Sequence, residues 1–250
     1  MNTSSTFKTW SASPVYSKFD IVHGVNATDT AFYYSLKNGN QANNPVSHYD
    51  FSITSVSRSN EVATVNFTKT GSGPSFCPGS CVNITGVPSP YTDFNYTGMV
   101  IKATDTSIQF ISAGYDIAQT STNGGVTTYL SPIWTTGFFF VPSYTTSVDS
   151  QQAVITAQFE PGYEQRQSSS LNGNTDTWSL TFSDRSNKET RAIKHFIQDK
   201  AGVGYFNVNI PVSDLCNDPS LKFVGTAPKI SQKSFGLNDI SVTVKQVFDI

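Results

Sequence analysis

Cys77 and Cys81 bracket the segment Cys77-Pro78-Gly79-Ser80-Cys81, a spacing that lets two thiolates reach one metal ion. A structural zinc site takes four ligands in a tetrahedral array. The remaining soft or imidazole donors are Cys216 and the scattered His23, His48 and His195, which share no motif. Three readings of the pair stand: thiols in a plain turn, a local disulfide, or metal ligands. An odd cysteine count of three argues against a disulfide framework. Asp and Glu are sparse, and no pair is set apart from surface charge. The sequence has no Gly-x-Ser-x-Gly elbow, no His-Glu-x-x-His and no phosphate-cradling glycine loop. No catalytic residue, metal or cofactor is therefore expected, and the chain is not expected to be an enzyme.

Two other groups of residues have binding chemistry. Trp10, Tyr16, Tyr33 and Tyr49 carry flat rings of the kind that stack on sugar faces. A module of this size also needs such rings to build a core at all, so core and sugar platform are both open, with Tyr49 the residue least committed to the core. Gly162-Tyr163-Glu164-Gln165-Arg166 is a turn carrying an arginine. An arginine so placed can hold a neighbouring loop or subunit through charge-assisted hydrogen bonds; a surface hairpin tip is the plainer alternative.

The elements that position these residues are mostly strands. The chain has 250 residues, 18 Phe and 11 Tyr, and only 14% charged residues, against about 25% in ordinary soluble domains. Ser, Thr and Asn supply the missing polarity. Aromatic and β-branched side chains suit a pleated surface, and Asn, Gly and Ser suit tight turns. A net charge of −2 gives no electrostatic reason to expect nucleic acid or an anionic membrane as partner. No apolar run approaches the roughly 20 residues of a bilayer span, so no membrane insertion is expected. Met1-Asn2-Thr3-Ser4-Ser5-Thr6 lacks the apolar stretch of a signal peptide. Without a secretory signal, the sequons at Asn2, Asn26, Asn66, Asn83 and Asn95 read as products of an Asn- and Thr-rich composition.

Three stretches follow along the chain. Residues 1–50 hold short strands around an aromatic cluster, with turns at Asn38-Gly39-Asn40 and Asn43-Asn44-Pro45. Residues 51–131 hold evenly spaced short strands: Ser52–Val56, Glu61–Phe67, Cys81–Val87, Gly98–Ala103 and Ser107–Ile111, with Ala118–Gly125 as an exit loop. No helical period interrupts them, which predicts a small barrel or sandwich. In residues 132–250, period-two alternation marks half-buried strands at Ala153–Phe159, Trp178–Phe182, Phe206–Ile210 and Ile240–Phe248. One helix is predicted at Ser186–Lys200. Ser186 and Glu189 make a capping box, Ala192, Ile193, Phe196 and Ile197 form an apolar stripe, and Gly202 is placed to end it. His195 sits beside that stripe as a boundary residue. The fold class is mainly β with one helix: small β modules, then an α+β domain of antiparallel sheet plus one helix.

These patterns carry three resemblances. Trp10, Tyr16, Asp20, Val22, Tyr33 and Pro45 fall on the pattern of the chitin-binding-type carbohydrate module. Phe19 replaces its usual glycine, and Tyr49 stands near its final tryptophan. The middle stretch is similar to a barrel-like unit that recurs in phage structural proteins, through Val82-x-Ile84-x-Gly86-Val87 and Ala103-Thr104-Asp105-Thr106-Ser107-Ile108-x-Phe110. Residues 132–250 resemble the minor tail protein M, or distal tail protein, family of long-tailed phages. Phe159…Gly162-Tyr163-Glu164-Gln165-Arg166…Leu171-Asn172…Trp178-Ser179-Leu180-Thr181-Phe182 and the terminal Val247-Phe248-Asp249 carry it. That resemblance implies a virion structural protein assembled in the host cytoplasm. It implies a ring of six copies joining the tail tube protein to the tail-tip or hub protein, with a host glycan as a further partner of the N-terminal part. The alternative is a free carbohydrate-binding or adhesion module.

Overall fold

The computed structural model describes residues 7–69, 73–128, 130–143, 145–160, 162–169, 173–208 and 221–248. Met1–Thr6, Pro161, Leu171, Asn172, Ile210, Cys216 and Asp249 lie outside the described residues. The expected class is what folds: strands dominate, and the described residues contain one α-helix. Two compact units divide the chain between Phe140 and Val141.

In the first unit, β1 (Ile21–His23) and β2 (Phe32–Ser35) form an antiparallel pair. The chain then leaves for eight further strands: β3 (Asp50–Ser59), β4 (Val62–Lys69), β5 (Cys81–Thr85), β6 (Tyr96–Met99), β7 (Lys102–Ala103), β8 (Ser107–Ile111), β9 (Ile117–Ser121) and β10 (Gly125–Thr128). It returns as β11 (Trp134–Thr135), which pairs with the free side of β2. The small sheet is thus completed by residues about a hundred positions downstream of β2. At the junction the outgoing and returning chains lie side by side. Tyr49 N–H donates to Thr128 Oγ1 at 2.8 Å, Thr128 N–H donates to Tyr49 C=O at 3.0 Å, and Ser131 N–H donates to Pro45 C=O at 2.8 Å.

The eight strands form one curled antiparallel sheet ordered β6-β5-β10-β3-β4-β8-β7, with β9 also on β3. β4 alternates as predicted, with Ala63, Val65 and Phe67 buried. The β3–β4 turn places Asn60 and Glu61 at φ of 49° and 60°, the left-handed pair whose twist suits a two-residue hairpin. A bulge between Ile53 and Ser55 switches β3 from burying Phe51 and Ile53 to burying Val56 and Arg58. A one-residue slip exchanges the faces of a strand, and that slip sends an arginine inward. The predicted exit loop is corrected: Ala118–Ser121 is part of β9, leaving a short turn before β10.

The second unit comprises β12 (Ser147–Gln152), β13 (Val154–Glu160), β14 (Tyr163–Ser168), β15 (Asn174–Ser186), α1 (Asn187–Lys200), β16 (Lys222–Gly225), β17 (Lys229–Ser234) and β18 (Leu237–Val247). The sheet order is β12-β15-β18-β16, and β17 pairs with the first half of β18. Trp178, Leu180 and Phe182 on β15 and Ile240, Val242 and Val244 on β18 share one buried face. Ala192, Ile193, Phe196 and Ile197 of α1 are all buried, and the helix packs against β15, β16 and β18. The oxygen of Ser186 accepts from Glu189 N–H at 3.2 Å, a cap worth about 1 kcal/mol. The Glu189 carboxylate also pairs with Arg185 at 3.2 Å. Ala201, at φ 48°, takes the left-handed cap position ahead of Gly202. His195 is fully inside, at 2% exposure, not at a boundary. Phe206 bridges to Phe223, and the predicted strand Phe206–Ile210 runs on into residues outside the described ones.

Candidate functional site

β13 departs from its predicted half-buried state. Alternation of Ala153, Ile155, Ala157 and Phe159 with polar residues does make a strand, but its apolar face is uncovered. β13 pairs with β14 alone, in a two-stranded sheet of its own. Ala153 N–H donates to Gly173 C=O at 2.7 Å, and Ser169 N–H donates to Ala153 C=O at 2.9 Å. Those bonds make the hairpin a continuation of the β12–β15 pair. The result is an arm.

The register sorts its side chains. Thr156 faces Arg166 and Gln158 faces Glu164, while Ile155 faces Gln167 and Ala157 faces Gln165. Arg166 and Glu164 therefore share one face, where they form an ion pair. With the arginine 70% exposed, the pair contributes little to the chain's own stability. Val154, Ile155, Phe159 and Tyr163 are exposed at 49%, 57%, 61% and 70%. The rings of Phe159 and Tyr163 meet near the tip at 6.3 Å, and Gly162 turns the chain at φ 94°. A lone two-stranded hairpin is marginal in water, and this one adds apolar surface that nothing in its own sheet covers.

The N-terminal aromatics are placed differently. Tyr33 is buried at 5%. Its hydroxyl donates to Asp29 Oδ2 at 3.0 Å, and burial together with that carboxylate pushes its pKa up to about 12. Burial opposes ionisation of Asp29, but bonds from Ala31 N–H, the Tyr33 hydroxyl and Val25 N–H outweigh it and lower the carboxyl's pKa. Trp10 and Tyr16 are half-buried around a small core of Val22, Tyr33, Ile133 and Trp134. Tyr49 packs instead on the core of the curled sheet. The residue that sequence reasoning missed is Trp134. It is wholly buried, edge-on to Tyr16 at 5.2 Å, and its Nε1–H donates to Asn43 C=O at 2.8 Å. Its partner strand β2 lies about a hundred residues upstream, so no local pattern pointed to it.

Cys77 and Cys81 are both free thiols. Burial raises both pKa values; Lys37 and Lys18 oppose this at Cys77, and a contact to Thr135 Oγ1 at 3.8 Å opposes it at Cys81. Raised thiol pKa values disfavour the thiolate that a metal or an electrophile requires. Ser80 between them donates to Pro132 C=O, tying the turn to the chain entering β11. Among the described residues no group of three or more His, Cys, Asp or Glu side chains is placed to hold a metal ion. No helix among them is long and apolar enough to cross a membrane.

Residues 136–248 match the model of the phage minor tail protein family. The matched span includes the arm and all the described residues of the second unit. The match supports a structural component of a phage tail, working in the virion with other tail components, and suggests a non-enzymatic role. No curated protein matches the chain.

Proposed function

We propose that this minor tail-type protein is a distal tail component, a ring of six copies that joins the tail tube protein to the tail-tip or hub protein. The observation that carries the reading is the β13–β14 arm, whose exposed Val154, Ile155, Phe159 and Tyr163 need a covering surface. A second copy supplies one, and a contact between unlike surfaces closes into a ring when its rotation divides the circle. Arg166 and Glu164 lie on the arm's polar face, where charge-assisted bonds to the neighbour would set register. Gly162 makes the turn, and Gln165, opposite Ala157 on the other face, adds a polar group beside the apolar side chains.

Three parts divide the work. Residues 1–50, completed by β11, form an aromatic module, residues 51–131 a barrel-like domain, and residues 132–250 carry the ring-forming domain. The first two are a peripheral decoration that contacts host glycans, with Trp10, Tyr16 and Tyr49 as the aromatic candidates; Tyr33, buried in the module's core, is not one of them. Partial exposure of Trp10, Tyr16 and Tyr49 supports a surface role for those rings.

Light scattering at several concentrations tests the ring. The expected species is about 163 kDa, six times the 27.2 kDa chain. Replacing Phe159 and Tyr163 together by Ser is expected to return the mass to that of a single chain. A wild-type monomer at every concentration would remove the self-assembled ring and favour a free carbohydrate-binding or adhesion module.

A further inference from the structure

The loop after β5 and the β9–β10 turn face each other across an open groove of about 460 Å³, lined by Pro88, Ser89, Tyr91, Ser121, Thr122 and Asn123. We propose that this groove binds a neutral saccharide. The inference rests on the reading that the N-terminal part contacts glycans, and it places that contact on the curled sheet, away from the aromatic module.

Both walls are fixed before any ligand arrives. On one side the Asn95 side chain bonds both main-chain groups of Val87, at 3.1 and 3.3 Å. Tyr91 N–H donates to Pro88 C=O at 2.9 Å, and Phe94, three residues on, is fully buried. On the other side Thr122 N–H donates to Thr54 C=O at 3.2 Å, and Ile53 N–H donates to Gly124 C=O at 3.0 Å. Gly124 sits at φ 149°, where a Cβ would come within 3.0 Å of Thr85 C=O. That turn admits glycine alone without a shift.

The lining chemistry selects the ligand class. It contains no carboxylate, ammonium or guanidinium group, so a charged ligand finds no counter-charge. A wholly apolar ligand would leave the hydroxyls of Ser89 and Ser121 and the Asn123 amide without partners, at a desolvation cost. The side chains of Ser89, Ser121 and Asn123 are exposed, and among the described residues they enter no hydrogen bond. Tyr91 is half-buried against the core and supplies a ring held in place by the barrel. An apolar ring beside uncharged donors and acceptors matches a sugar, which has a C–H face and a rim of hydroxyls. The volume suits about one or two sugar rings.

The test is a titration of the isotope-labelled full chain, followed by amide NMR, with maltose, lactose and diacetylchitobiose, and with galacturonate as the charged control. At least one neutral sugar is expected to shift the amides of residues 88–91 and 121–124 at millimolar concentration. Tyr91→Ala is expected to weaken that binding about tenfold. Asn123→Ala, at an exposed turn position, is expected to weaken it without disturbing the barrel. Shifts confined to Trp10, Tyr16 and Tyr49 would overturn the groove while preserving glycan contact. Silence from all three neutral sugars would overturn both, and tighter binding of galacturonate would overturn the neutral class.

Discussion

Replacing Asp93 by Ala is expected to destabilise the curled sheet by about 3 kcal/mol, although Asp93 is 46% exposed. The reason is its partner. The Arg58 side chain is 1% exposed and forms an ion pair with Asp93. It also donates to Ser112 Oγ at 3.0 Å and lies over the Phe94 ring at 4.8 Å. Removing the carboxylate leaves a guanidinium charge inside the barrel without a counter-charge. The reverse change is milder: after Arg58→Met the carboxylate is still hydrated, and methionine's flexible apolar chain fills much of the vacated space. A buried pair replaced by apolar volume is often close to neutral. Denaturant melts of the two variants check the order, Asp93→Ala well below Arg58→Met. Equal losses would contradict the penalty for an unpaired buried guanidinium.

Trp134→Ala is expected to cost about 3–5 kcal/mol and to open the small β1-β2-β11 sheet first. The substitution empties the centre of that core, unpairs Asn43 C=O and removes the ring against Tyr16. Hydrogen exchange gives the local readout. Amides of Ile21–His23 and Phe32–Ser35 should lose protection, while those of Trp178–Phe182 and Ile240–Val244 in the other unit keep theirs. Loss of protection in the second unit alone would show that Trp134 works with the domain that follows it in sequence, not with the strand it pairs.

The contrast between these two residues shows how far the sequence could be read. Period-two alternation located β4, β8, β15 and β18, because each buries one face and exposes the other. Helix α1 was legible from Ser186 and its apolar stripe for the same local reason. Arg58 was not, since its inward turn depends on a bulge at Thr54 that only pairing with β4 defines. Trp134 was not, since its partner strand precedes an inserted barrel. For β13 the alternation was real, yet periodicity reports an apolar face and not what covers it. Of the candidate sites, the Gly162–Arg166 turn was visible as a motif, while the groove at Tyr91 joins two loops about thirty residues apart and has no local signature.

The most direct measurement of the central claim is electron microscopy of intact phage particles decorated with a gold-labelled antibody against this chain. A structural tail component placed between tube and tip predicts label at the end of the tail farthest from the capsid, on every particle. Label on the capsid alone, or particles that carry none of the chain, would contradict it.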